Sequence, residues 1–134
     1  MDKDYIKAVS IAKDALSKIN GIYDNAKTGT FEDNKGCKAV EGFISNIQDF
    51  INTVEHYSKD TKIGYLELNS NGRYELKGTE LTCGHPVEVY NTGSGEWNDG
   101  RIEHSDKYGG YYFYNYDEGH FALSDGMKAR VRVK

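Results

Sequence analysis

Cys83-Gly84-His85 sets a thiol and an imidazole on one turn, and Cys37 and His56 stand at either end of an apolar, helix-patterned stretch. Two Cys and two His form a complete ligand set for a closed tetrahedral zinc site. The spacing imposes a condition. If the chain is helical and unbroken from Cys37 to His56, the two stand about 28 Å apart. The four side chains then meet only if the segment before Val40 folds back. The competing reading makes Cys83 a small core residue and His85 a surface residue before Pro86. A structural zinc held by Cys83, His85, Cys37 and His56 is therefore an expectation, and no cofactor is required. Either thiol could also pair with a histidine as a nucleophilic dyad. Two Cys and four His offer such pairs by chance, however. No serine sits in a Gly-x-Ser-x-Gly elbow, and no glycine-rich loop leads a lysine into a helix to cradle phosphate. Gly93-Ser94-Gly95 reads as a hairpin turn. The expectation is a protein without catalytic residues.

A second constellation is aromatic. Trp97, Tyr111, Tyr112, Phe113, Tyr114 and Tyr116 lie near Arg101, Arg130 and Arg132. Such rings can stack bases, as small β-barrels do with single-stranded nucleic acid. Alternation along a strand buries about half of them. Surface tyrosine is also well suited to protein interfaces, being large, fairly rigid and amphipathic. Carboxylates flank the same strands and would repel phosphate. The candidate partner-binding face is Glu96, Trp97, Asp99, Glu103, Asp106, Tyr111, Tyr114, Tyr116, Asp117 and Glu118, and the partner it favours is a protein with a basic surface. Nucleic acid is the less favoured ligand. The pair Asp117 and Glu118 reads as a solvated turn rather than an acid–base couple.

The totals agree. The 134 residues make about one domain, with a net charge of −4. That mild acidity argues against a nonspecific nucleic-acid binder, which carries a basic stripe. Mean hydropathy is −0.74 and no long apolar run occurs, so a membrane span is not expected. Met1-Asp2-Lys3-Asp4 has no basic and apolar leader pattern, so a cytoplasmic location is expected, where the two cysteines would stay reduced.

These residues need elements to position them. Tyr5, Val9, Ala12, Leu16, Ile19 and Tyr23 recur at gaps of four and three, predicting a helix over 4–22 capped by Asp4, with Gly21 near its end and the break following over 25–29. Val40, Phe43, Ile44, Ile47, Phe50, Ile51 and Val54 predict a second helix ending near Tyr57. Its start falls between Thr30 and Cys37, because an earlier start takes Gly36 inside at a cost of about 1 kcal/mol relative to Ala. The two stripes should zip into an antiparallel hairpin. A lone hairpin leaves apolar surface wet, so its remaining face should pack on the rest of the chain, on a partner or on a second copy as a homodimer. Residues 63–68 and 73–77 form a hairpin around Asn71-Gly72, a strong turn dipeptide. Short strands follow at 86–90, 100–104, 111–116, 121–123 and 129–133, separated by glycine turns. In the last, Ala129, Val131 and Val133 share one face, and Lys128, Arg130, Arg132 and Lys134 the other. The fold class expected is α+β: a helical hairpin over 1–62 and a small antiparallel SH3-like β-barrel over 63–134, packed as one compact unit.

Gly72-Arg73-Tyr74-Glu75-Leu76, Glu80-Leu81-Thr82-Cys83-Gly84, Pro86-Val87-Glu88-Val89, Trp97, Gly100-Arg101-Ile102-Glu103-His104, Tyr111-Tyr112-Phe113 and residues 126–132 carry a resemblance. In these motifs, over roughly 64–133, the chain resembles a family of small domains of unknown function common in Firmicutes phages, plasmids and conjugative elements. The family brings no assigned chemistry, and the helical hairpin lies outside the match. The resemblance implies a mobile-element setting, including counter-defence proteins such as anti-CRISPR inhibitors of CRISPR nucleases. Together these readings predict a non-enzymatic inhibitor that occupies a basic channel of a host nucleic-acid-handling protein such as a Cas9-type effector. The alternatives are a nucleic-acid-binding accessory protein of a mobile element and a zinc-stabilised structural module.

Overall fold

The computed structural model describes residues 1–133, and the chain divides into two units, Met1–Lys59 and Asp60–Lys134. The fold class is α+β.

The first unit is an antiparallel pair of helices, α1 (Lys3–Asn25) and α2 (Phe31–Ser58). Asp2, rather than Asp4, caps α1: its Oδ1 accepts the Asp4 N–H at 2.8 Å. α1 passes through Gly21 and ends at Asn25, three residues past the expected Ile22 and at the start of the segment expected to break it; there the Asn25 side chain donates to the Gly21 carbonyl at 2.9 Å. Thr30 caps α2, its Oγ1 accepting the Asp33 N–H at 3.0 Å, so the helix begins early and contains Gly36. The cap satisfies a backbone donor that the helix leaves unpaired. The helices are tied by Tyr23, which donates to Glu41 at 2.7 Å, and by the Lys13–Glu55 pair at 3.2 Å. The Tyr23 hydroxyl is pushed up to about 12, first by that hydrogen bond to Glu41. Val9 and Ile51 are the buried hydrophobic residues of this unit.

The second unit is all strand and turn. Its elements are β1 (Thr61–Tyr65), β2 (Glu67–Leu68), β3 (Tyr74–Leu76), β4 (Thr79–Glu80), β5 (Pro86–Asn91), β6 (Glu96–Ser105), β7 (Gly110–Asn115), β8 (Phe121–Ala122) and β9 (Lys128–Arg132). Thr61 and Lys62 thus belong to β1 rather than to the helical segment. Among the described residues the expected barrel is not closed. β1-β9-β5-β6-β7-β8 form an open six-stranded antiparallel sheet, and β2-β3-β4 form a separate three-stranded one. Both sheets feed one core, which includes Leu66, Leu76, Leu81, Val87, Ile102 and Phe113.

The expected 63–68 strand is split at Leu66. Its N–H donates to Met127 and its carbonyl accepts from Gly126, both at 2.8 Å, which turns its fully buried side chain into the core. Ile63-Gly64-Tyr65 therefore pairs with β9 instead of closing the hairpin. Only Glu67↔Glu75 and Leu68↔Tyr74 pair across the Asn71-Gly72 turn. The strand expected at 100–104 begins four residues sooner, passing straight through Gly100. A Cβ there would stand 2.2 Å from the Tyr114 carbonyl oxygen and 2.6 Å from the Phe113 ring. Only glycine permits β6 and β7 to approach so closely. In β9, Ala129 and Val131 are buried as expected, while Lys128, Arg130 and Arg132 take the other face; Lys134 lies outside the described residues.

Candidate functional site

Residues directly opposed in an antiparallel sheet share a face. The register Tyr65↔Lys128, Ile63↔Arg130, Arg130↔Glu88, Glu88↔Asp99, Tyr90↔Trp97, Arg101↔Tyr114 and Glu103↔Tyr112 therefore defines one continuous outer face across five strands. The opposite, inner face carries Val87, Val89, Ile102, Phe113 and Ala129.

At the centre of the outer face stands Glu88, 5% exposed although it faces away from the core. Its Oε1 accepts from Arg130 Nη2 at 2.8 Å and Nε at 3.0 Å, and its Oε2 accepts from Arg132 Nε at 2.9 Å. Burial pushes the Glu88 carboxyl up, but the hydrogen bonds from Arg132 and Arg130 outweigh it, and the group ends below the usual glutamate range. A carboxylate taken from water is stabilised only when charged donors saturate it, and here two guanidinia do so.

Those cations also lie on rings. Arg130 sits 4.3 Å from the Trp97 centroid, and Lys128 Nζ sits 4.7 Å from that of Tyr90. Arg101 covers Tyr114 at 4.1 Å, donates to the Tyr116 hydroxyl at 3.2 Å and pairs with Glu103 at 3.4 Å. Tyr114 stacks in turn on His120 at 4.1 Å, and Tyr112 on Tyr108 at 4.3 Å. Burial first, and the Glu103 carboxylate second, push the Tyr112 phenol up. Each such cation–ring contact is worth about 0.5–1 kcal/mol when exposed. Together these contacts join the rings and guanidinia of the face into one network.

The expected binding residues divide by place. Trp97, Asp99, Glu103 and Tyr114 lie on the outer face, and Tyr116, half exposed, borders it. Tyr111 is on the inner face, packed against the core with its hydroxyl accepting from Arg73 Nε at 3.3 Å. Glu96, Asp117 and Glu118 gather at one end of the β6–β7 pair. There Asp117 Oδ2 accepts the Asp99 N–H at 2.7 Å and Glu118 accepts from Asn91 at 3.4 Å. Asp106 stands at the far end, beyond the ten residues of β6, or about 30 Å of strand. The face thus interleaves both signs, with the exposed carboxylates Glu96, Asp106 and Glu118 at its rim.

Sequence reasoning missed Glu88, Tyr90 and Lys128, and named Tyr112 only among the base-stacking rings, not in the protein-binding set. The signal was present for Lys128 in the alternation of β9. For Glu88 no local signal existed, because its burial comes from Arg130 and Arg132 across the β5–β9 pairing.

The four proposed zinc ligands do not assemble. α2 is continuous from Phe31, so Cys37 and His56 remain about 28 Å apart on one rod. Cys37 Sγ contacts Glu41 Oε1 at 3.6 Å, and His85 Nδ1 lies 2.8 Å from the Pro86 carbonyl oxygen on the turn after β4. Among the described residues, no group of three or more His, Cys, Asp or Glu is disposed to hold a metal ion. No described helix is long and apolar enough to cross a membrane.

A family model described as a domain of unknown function (DUF5348) matches residues 64–131, and the chain belongs to that family. The match takes in nearly all of the outer face and leaves the helical unit outside it. No curated protein and no solved structure matches the chain.

Proposed function

We propose that Asp60–Lys134 is a non-enzymatic protein-binding domain whose outer sheet face is its interface. The observation that carries this reading is the set of cation-covered rings, Arg130 on Trp97, Lys128 on Tyr90 and Arg101 on Tyr114, locked in place around the buried Glu88. Trp, Tyr and Arg dominate the energetics of protein interfaces. Side chains already ordered lose less freedom when a partner docks.

The partner proposed is a nucleic-acid-handling protein of the host of a phage or mobile element, such as a Cas9-type effector, blocked at a basic surface. Support for the basic partner comes from the net charge of −4 and from the rim carboxylates Glu96, Asp106 and Glu118. The four cations of the face count against its whole area lying in a basic channel. The partner's basic groups are accordingly expected opposite the rim. A cytoplasmic setting belongs to the same proposal, as does an SH3-like character for the open sheet. Titration of the chain against a purified Cas9-type effector should give a complex that weakens as salt rises, and that Trp97→Ala disrupts. No complex there would remove this partner. No specific capture by the intact chain from a host lysate would remove the protein-binding reading itself.

The same stacked pairs favour one second reading, single-stranded nucleic acid laid along β6 and β7. Filter binding at low salt separates the two. Oligonucleotide retention that Trp97→Ala abolishes would displace the protein reading. A zinc-stabilised module has only Cys83 and His85 left as neighbouring ligands within one turn, fewer than a structural site needs.

A further inference from the structure

The open sheet leaves a gap between its two edge strands. Tyr65 ends β1 and Phe121 begins β8, on opposite edges of the six-stranded sheet, yet both line one cavity of about 620 Å³. That volume is in the range of small-molecule sites. Its floor is the directly opposed pair Val89 and Asn98, 4% and 8% exposed. Asn98 thus places an amide on the core-facing side of β6. A chain of hydrogen bonds fixes which way that amide points. Asn91 Oδ1 accepts the backbone N–H groups of Gly93 at 2.9 Å and Ser94 at 3.2 Å. Asn91 Nδ2 is therefore the atom that faces Asn98, and it donates to Asn98 Oδ1 at 3.1 Å. Asn98 Nδ2 turns the other way. It meets no acceptor among the described residues and is not sealed off by protein, so it opens into the cavity. Asn91 Nδ2 also donates to Glu118 Oε2 at 3.4 Å, which sets the Glu118 carboxylate beside this donor at the rim. Glu118 forms no ion pair among the described residues. Lys128 lines the cavity too, but its Nζ lies over the rings of Tyr90 at 4.7 Å and Trp97 at 5.9 Å.

We propose that this cavity binds a free guanine nucleoside. The side chains ask for an acceptor opposite Asn98 and, next to it, donors for the two oxygens of Glu118. They ask for both on a flat body that suits the rings of Tyr65, Tyr90 and Phe121 and the thioether of Met127. Guanine carries that order along its pairing edge: O6 accepts, then N1–H and N2–H donate. Adenine and cytosine set a single amino group beside a ring-nitrogen acceptor and leave one carboxylate oxygen unmet. Uracil turns a second carbonyl toward the carboxylate. Proteins that hold unpaired bases stack them on aromatic side chains and read them along this edge. Charge selects the nucleoside over a nucleotide or a strand. Glu96 and Asp117 stand at the same end of the sheet as Glu118, and the Lys128 ammonium is already over two rings, so a phosphate there meets like charge. The cavity borders the outer face through Tyr90 and Lys128, and the proposal does not rest on that face binding a protein.

Equilibrium dialysis of the intact chain against guanosine, adenosine, cytidine, uridine and inosine tests this. Guanosine should bind saturably, one per chain, and about tenfold or more tightly than each of the others, inosine included because it lacks the N2 amine. Guanosine 5′-monophosphate should bind more weakly than guanosine. Glu118→Ala, at an exposed position, should erase the advantage of guanosine over inosine. Asn98→Ala should weaken guanosine and inosine alike, since both keep O6, with near-ultraviolet circular dichroism of the tyrosine-rich sheet unit reporting that the fold survives. No saturable binding of any nucleoside overturns the inference. A preference for guanosine over inosine that persists undiminished in Glu118→Ala overturns it too. Tighter binding of a guanine-containing single strand than of guanosine would give the cavity to nucleic acid and overturn it as well.

Discussion

The helical unit and the sheet unit spend their apolar residues in opposite ways. The sheet unit encloses ten of them in one cluster, with Phe113, Leu66 and Leu76 wholly out of water. The helical unit buries Val9 and Ile51 and leaves Tyr5, Ile11, Ile22, Phe31 and Phe43 largely exposed. A unit of strands that closes its own core can devote its outer surface to recognition. A two-helix unit cannot close a core, so its apolar surface is available for association. The difference leaves the two units with different surfaces: polar and aromatic on the sheet, apolar and exposed on the helices.

The contrast is sharpest under truncation of the core. Phe113→Ala removes a ring with no exposure from the middle of the inner face. It should cost about 3–5 kcal/mol, read as a lowered urea midpoint for the tyrosine and tryptophan signals. An equal loss from Phe43→Ala would erase the distinction, since a half-exposed surface ring should cost well under about 1 kcal/mol.

Glu88 comes next. Glu88→Gln leaves two guanidinia without their carboxylate and should cost about 2–3 kcal/mol, toward the lower end for a broken buried pair because both arginines keep some solvent. The pH dependence has a definite sign. The folded glutamate lies below its unfolded value, so its contribution is complete above the unfolded pKa of about 4.3 and is lost as pH falls through the lower folded one. Melting temperature should therefore drop below about pH 4.3, and Glu88→Gln should flatten that acid limb. An unaltered acid limb would mean that Glu88 is not the group responsible.

The smallest effect belongs to the helices. Thr30→Ala removes the side chain that accepts the Asp33 N–H and should cost about 1 kcal/mol, seen as reduced helical ellipticity on mild heating with the sheet signals unchanged.

Much of this was legible in the sequence. The stripes through Val9 and Leu16 and through Val40, Ile47 and Val54 specified both helices, because a 3.6-residue period needs no distant partner to be read. The alternation in Pro86–Asn91 and in Lys128–Arg132 specified β5 and β9 for the same reason. What escaped was the long-range register. Nothing local to Ile63-Gly64-Tyr65 says that it pairs with Ala129 and its neighbours rather than with the nearer Tyr74. That choice is made by Leu66 turning into the core. Gly100 was legible as part of a strand, but not that its missing side chain is what lets β7 approach so closely.

The candidate face was read in part. Counting by two from the buried Phe113 puts Tyr111 inward and Tyr112 and Tyr114 outward, so the alternation itself could have removed Tyr111 and added Tyr112. Glu88 could not be found that way, because an outward position on a strand ordinarily means solvent. Its burial comes from Arg130 and Arg132, which the fold brings in from more than forty residues away. The rim placement of Glu96, Asp106 and Glu118 likewise depends on which strand ends lie together, and no local pattern records that.

Trp97 is the single tryptophan and lies under Arg130 in the middle of the outer face. Fluorine NMR of the chain carrying 5-fluorotryptophan therefore gives one reporter for the proposed interface. On addition of the captured partner protein, the account predicts that this resonance shifts or broadens in proportion to complex formed. A complex that forms at full occupancy while the resonance stays in place would contradict the assignment of binding to this face.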